Sequence, residues 1–355
     1  MTEIHPPPRT GRLIVPFQEW PDRDQTAWRH NCSPADDPFD DDPRPGAERR
    51  ADTLASYKKG YGRWLSFLAS RGWLDPAQPA DARVTRPRLR CYFRVLKRSG
   101  NRDQTIVDRF NHLASTIGIL IPGADIGWIQ RPDGATIRSQ LACDRRSNFV
   151  PPASDVLYKW GLSMMEKAAQ ATPATTVSCI AYRNGLLIAM LAARARRLRS
   201  MQLLRVGHEL LRSPEGYRIE LTPDQVKTNK PDRFELPTNL TPYIEHYLRQ
   251  LRPQLLAGRH SEHLWINKEG VPLTSQGIQT MIKRATLKRF SVSFGPHAFR
   301  HAAATTAALR DPACPNLASS MLGISPEIAE GHYNRAGQIQ AAKNYAAMLE
   351  KKFDR

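Results

Sequence analysis

Gly295–Arg310 reads GPHAFRHAAATTAALR, and this stretch decides the fold. Gly295-Pro296 breaks whatever precedes it, and the alanine-rich run that follows has strong helix propensity. Within that helix His297 and Arg300 are three residues apart, so they share a face and can meet one anion. His301, four residues from His297, borders the same face. His297 and His301 also form an HxxxH pair, but Ala298 stands where a zinc protease needs its glutamate and no third ligand follows, so no metal is expected.

Two further segments accompany this one. Downstream, Met321–Gly337 reads MLGISPEIAEGHYNRAG, with Ser325 and Pro326 suited to start a helix and Tyr333 near its end. Upstream, Ala192–Arg205 reads AARARRLRSMQLLR, an arginine cluster closing an apolar helix. Between them lies a polar turn carrying Lys227 and Lys230, flanked by strand-like segments at 217–221 and 233–236.

Composition agrees with an anionic partner. The 355 residues carry 52 Lys and Arg against 34 Asp and Glu, a net charge of +18. The charge is uneven: the first 50 residues hold 7 basic and 10 acidic side chains, and the remainder is strongly basic. Such a surface attracts polyanions, nucleic acid first among them. The longest apolar run, Gly185–Ala193, has nine residues and ends at Arg194, short of the ~20 that span a bilayer. No secretory h-region opens the chain, and five scattered cysteines form no CxxC pair. A cytoplasmic, nucleoid-associated protein is expected, with no membrane partner.

The chain divides into four parts. Residues 1–47 contain 9 of the 28 prolines and the aspartate-rich stretch Pro34–Gly46, and read as a solvated arm. Residues 48–146 are helical in pattern, with apolar stripes at 54–67, 86–98 and 103–117. Lys58, Lys59 and Arg63 lie among these helices as candidate phosphate contacts, and Arg194, Arg196 and Arg199 do so in the cluster. Residues 147–153 read as a linker. Residues 154–355 form a mixed domain: helices at 154–170 and 177–204, a β-hairpin, a short strand at 263–266, then helices. The fold class is therefore multidomain and mostly α, with a small β-hairpin or sheet.

These segments together resemble the tyrosine recombinases, the phage-integrase family of site-specific DNA recombinases. Aligning the closing Leu204-Arg205 pair places the family's first catalytic arginine on Arg197. Its hairpin lysine falls on Lys227, with Lys230 as the other candidate. Its HxxRH falls on His297, Arg300 and His301, and its LGH turn, with the nucleophile nine residues on, falls on Leu322-Gly323-Ile324 and Tyr333. The resemblance implies a helical core-binding domain followed by an α/β catalytic domain, DNA strands cleaved and rejoined through a 3′-phosphotyrosyl link, and neither metal nor ATP. It also implies a homotetramer on two double-stranded DNA sites, with accessory DNA-bending or recombinase proteins as further partners.

Two positions depart from the family pattern. Ile324 occupies a place usually held by His or Trp and cannot donate a hydrogen bond, with His332 as a substitute donor. Ser200 replaces a glutamate near the first arginine. Two other functions stay open on sequence alone: a DNA-binding protein of the same fold with weakened catalysis, and a type IB topoisomerase-like enzyme.

Overall fold

The computed structural model describes residues 12–35, 37, 39, 41–141, 149–226, 230–310, 322, 330–331, 345 and 348–349. The chain divides into two compact units, Met1–Asn148 and Phe149–Arg355, each with its own core.

The first unit is helical. Helix α1 spans Asp22–Asn31, α2 Ala51–Ser70, α3 Arg86–Arg98 and α4 Asp103–Leu120, followed by single turns α5 (Gly127–Gln130) and α6 (Ile137–Gln140). The expected stripes are the buried faces. Helix α2 buries Tyr61, Trp64, Leu65 and Leu68, α3 buries Leu89, Tyr92 and Leu96, and α4 buries Ile106, Phe110, Leu113 and Ile117. Helix α3 starts where the Thr85 hydroxyl accepts the Arg88 amide, with Pro87 in its first turn. Gly60 lets α2 approach α4, since a Cβ there would lie 2.5 Å from Cβ of His112.

The reading of residues 1–47 as a solvated arm is corrected by this unit. Trp20 and Trp28 are 3% exposed and belong to its core. Asp24 of α1 is buried as well, accepting Arg83 Nη2 at 2.7 Å and the Tyr61 hydroxyl at 2.7 Å. Helix α1 hides from an apolar-periodicity reading because Asp24, Gln25 and Asn31 make up most of its buried face. Lys58 is likewise engaged within the unit, its Nζ 4.4 Å from the Phe17 ring centroid.

The second unit begins with α7 (Ser154–Ala169) and α8 (Thr176–Ala193), which cross at their glycines. A Cβ on Gly185 would sit 2.8 Å from the Gly161 carbonyl oxygen. Thr175 and Ser178 form a capping box at the start of α8. By length and mean hydropathy α8 could cross a membrane, yet Leu186–Leu191 are fully buried in the unit's core. The helix expected to continue to Leu204 stops at Arg194, whose backbone is extended (φ −142°, ψ 91°), and resumes only as α9, Leu198–Gln202.

The sheet has one strand more than expected. Strands β1 (Leu210–Ser213), β2 (Gly216–Leu221) and β3 (Asp232–Glu235) are antiparallel in the order β1-β2-β3, with Leu210 opposite Ile219 and Ile219 opposite Phe234. Those three side chains face the core. Residues 263–266 form isolated bridges, Arg205 to His263 and Ile266 to Pro272, in place of the expected strand. Helix α10 (Thr241–His246) runs through a π-turn at Tyr247–Leu251 into α11 (Arg252–Leu256). Helices α12 (Ser275–Phe290) and α13 (Pro296–Arg310) complete the described core, α13 starting at the Gly-Pro break as expected.

Candidate phosphate site of the second unit

Helix α13 buries one face of alanines and Phe299, and this burial draws Arg300 inward until it is 7% exposed. Its two terminal nitrogens are both committed: Nη1 donates to the Ala195 carbonyl at 2.5 Å and Nη2 to the Leu322 carbonyl at 2.7 Å. These bonds tie α13 to the break between α8 and α9 and to Leu322. Burial, with the charges of Arg197 and Arg196 adding to it, lowers the Arg300 guanidinium from its ordinary value to about 10. No carboxylate offsets that cost among the described residues.

Arg197 caps the N-terminal end of α9 with extended backbone (φ −62°, ψ 144°) and is half-buried. It lies within electrostatic reach of both Arg300 and His297. His297 is held below its usual range by burial first and then by Arg300 and Arg197. Its ring meets that of His301 edge-on at 4.6 Å. The structure thus brings Arg197, His297, Arg300 and His301 together from two elements more than a hundred residues apart. Two guanidiniums held close together beside an imidazole make a candidate anion site, where the N–H groups left over on each fork suit phosphate oxygens.

The other arginines of the cluster are occupied. Arg196 donates to Asp232 of β3 at 2.5 Å and stacks on Phe234 at 5.0 Å, so it braces the sheet and is not an open phosphate clamp. Arg194 stacks on the same ring at 5.1 Å. Arg205 is bound to Glu209 by Nε and Nη2. Arg199 is exposed on α9, as is Lys59 on α2, while Arg63 is half-buried. Lys230 is exposed at the end of the β2–β3 turn. Lys227, Ile324, His332 and Tyr333 lie outside the described residues.

Sequence reasoning missed Asp232, Phe234 and Glu209. The alternation in DRFEL, Asp232–Leu236, marks a strand with Phe234 facing inward, and a strand packed beside an arginine cluster needs an acid.

Residues 163–311 match the family model described as the phage integrase family. This segment of the chain is similar to that family. Among similar proteins is tyrosine recombinase XerD of Staphylococcus saprophyticus subsp. saprophyticus, 32% identical over 120 residues, 34% of this chain and 40% of the relative. XerD of Staphylococcus aureus strain N315 is 34% identical over 104 residues, 29% of this chain and 35% of the relative. The matched part therefore spans two fifths or less of those relatives.

Two solved structures share the fold at 14% identity, both of XerH site-specific recombinase. One is a post-cleavage complex with a palindromic difH substrate, covering 98% of this chain and 99% of that one with a TM-score of 0.55. The other is a pre-cleavage complex with difH, covering 94% and 97% with a TM-score of 0.55. The fold described above, mostly helical with a three-stranded antiparallel sheet, is thus one these structures share. The matched segment contains Arg197, His297, Arg300 and His301, and ends just after α13.

Proposed function

We propose that the chain is a site-specific DNA strand transferase of the tyrosine recombinase kind, acting on double-stranded DNA without metal or ATP. The observation that carries this reading is the buried Arg300 guanidinium, near Arg197 and His297 and, among the described residues, without a facing carboxylate. A protein keeps so costly a charge where an anion completes it, and the +18 net charge makes the DNA backbone the natural anion.

In this reading Tyr333 attacks the scissile phosphorus. The Tyr333 Oη–P bond forms as the P–O5′ bond breaks, and the bond energy is kept in a 3′-phosphotyrosyl link. The phenolic proton passes to His297, which is neutral near pH 7 because of its buried, cationic surroundings. His301 orients the phosphate or shares that proton. Lys227 gives the leaving 5′-oxygen its proton, with Lys230 as the alternative donor. Arg197 and Arg300 stabilise charge on the non-bridging oxygens, a contribution of ~3–4 kcal/mol per preorganised donor. His332 takes the hydrogen-bonding role that Ile324 cannot fill. Lys59, Arg63 and Arg199 contact the DNA backbone, and four copies act on two sites in the cytoplasm.

The deciding experiment incubates the protein with nicked duplex sites that trap the covalent adduct. An adduct lost in Tyr333→Phe is the expected result. Undiminished DNA binding without adduct gives the DNA-binding reading instead, and plasmid relaxation without site preference gives the topoisomerase one.

A further inference from the structure

A polar chain of three residues leads from a buried acid into α9, the helix that follows Arg197. Glu209, 5% exposed, precedes β1. Its Oε2 accepts the Arg205 amide at 2.9 Å, and its Oε1 accepts Arg205 Nη2 at 2.7 Å and Gln225 Nε2 at 2.8 Å. Burial alone would raise this carboxyl, but those donors overcome it and hold Glu209 below the usual carboxylate range.

Gln225 is thereby fixed at both ends. Its Oε1 accepts the Thr222 amide at 3.1 Å, and its main-chain carbonyl accepts the Ser200 hydroxyl at 2.9 Å. Ser200 is 5% exposed and sits one turn into α9, three residues after Arg197. On its other side α9 is held by Trp265 Nε1, which donates to the Met201 carbonyl at 2.6 Å. A five-residue helix has little stability of its own, so these two bonds set where Arg197 begins.

We propose that Glu209, Gln225 and Ser200 form a positioning unit that aims the Arg197 guanidinium, acting together where the family pattern places a single glutamate at position 200. The unit touches no substrate; it acts through Arg197. The inference rests on the strand-transferase reading, because Arg197 needs aiming only if a scissile phosphate sits before it.

The test compares adduct formation on two nicked duplexes, one with an ordinary scissile phosphate and one with a neutral methylphosphonate there. A neutral centre has less need of a guanidinium, so a defect that runs through Arg197 shrinks on it. Ser200→Ala and Glu209→Gln are each expected to slow cleavage of the phosphate about tenfold through misplacement of the guanidinium. On the methylphosphonate they stay within about twofold of the unaltered chain, with DNA affinity unchanged. Ser200→Ala removes one hydroxyl and decides the matter should Glu209→Gln fail to fold. Equal losses on both duplexes, or no loss on the phosphate, overturn the positioning role alone. If the unaltered chain forms no adduct on the ordinary duplex, the strand-transferase reading falls and this inference falls with it.

Discussion

Replacing Arg300 by methionine should abolish a phosphate-specific stabilisation of the second unit. The size follows from the guanidinium's surroundings. Lowering it from the ordinary arginine value to about 10 means that holding the charge in this buried place costs about 3 kcal/mol at neutral pH. The sign is that of a depressed base. The cost is complete below about 10 and fades only as pH rises from there toward the ordinary value, so at pH 7 it is fully present. A bound phosphate relieves part of it. An anion at ten times its dissociation constant adds about 1.4 kcal/mol, or ~3–6 °C in Tm for a unit of this size. Full relief sets a ceiling of ~6–12 °C. The assay is thermal unfolding in phosphate against chloride at matched ionic strength, which cancels general screening. Arg300→Met also leaves the Ala195 and Leu322 carbonyls without their donor, at ~1–3 kcal/mol each. Its own Tm is therefore not diagnostic, and its response to phosphate is. An equal phosphate response in Arg300→Met and the unaltered chain would refute the anion site.

Three other outcomes test the scaffold and the imidazole. Asp24→Ala leaves Arg83, fully buried, without its carboxylate and should cost ~3–5 kcal/mol in urea unfolding, with the first unit melting separately and earlier. Gly185→Ala drives a methyl into the Gly161 carbonyl and Met164 Cβ, 2.8 and 2.9 Å away, and should cost ~1–3 kcal/mol in the second unit. His297 is depressed in the fold, so the unfolded chain binds its proton first as pH falls. Stability should drop from about pH 6.5 downward, and His297→Gln should flatten that part of the curve in denaturant titrations.

How far the fold was legible depended on what each helix buries. Helices α2, α3 and α4 show their apolar stripes openly, and α3 begins and ends where the pattern puts it, at Arg86 and Arg98. Helix α1 does not, because it packs through Asp24, Gln25 and Asn31, whose burial depends on Arg83 and Tyr61 far along the chain. Strand β1 was lost for a related reason. Leu210–Ser213 is four residues long, and what makes it a strand is its pairing with β2. The run from 177 to 204 reads as one helix because its propensity stays helical through Ala195. Its break at Arg194 comes from the tertiary bond between the Ala195 carbonyl and Arg300, which propensity cannot register.

The arginine cluster shows what spacing leaves undecided. Five arginines stand from Arg194 to Arg205, and the sequence offers Arg194, Arg196, Arg197 and Arg199 as phosphate ligands. The fold separates them by their neighbours. Phe234 takes the faces of Arg194 and Arg196, Asp232 takes the charge of Arg196, and Glu209 takes that of Arg205. Arg197 keeps company with Arg300 and His297, and its charge helps to lower both of them. Among the described residues Arg194, Arg196 and Arg205 come with acids or rings, whereas Arg300 has two backbone carbonyls set against its burial and the charge of Arg197, so an arriving anion would stabilise it further. That asymmetry, more than the match to a motif, is what singles out Arg197 and Arg300 as the candidate pair for a DNA phosphate.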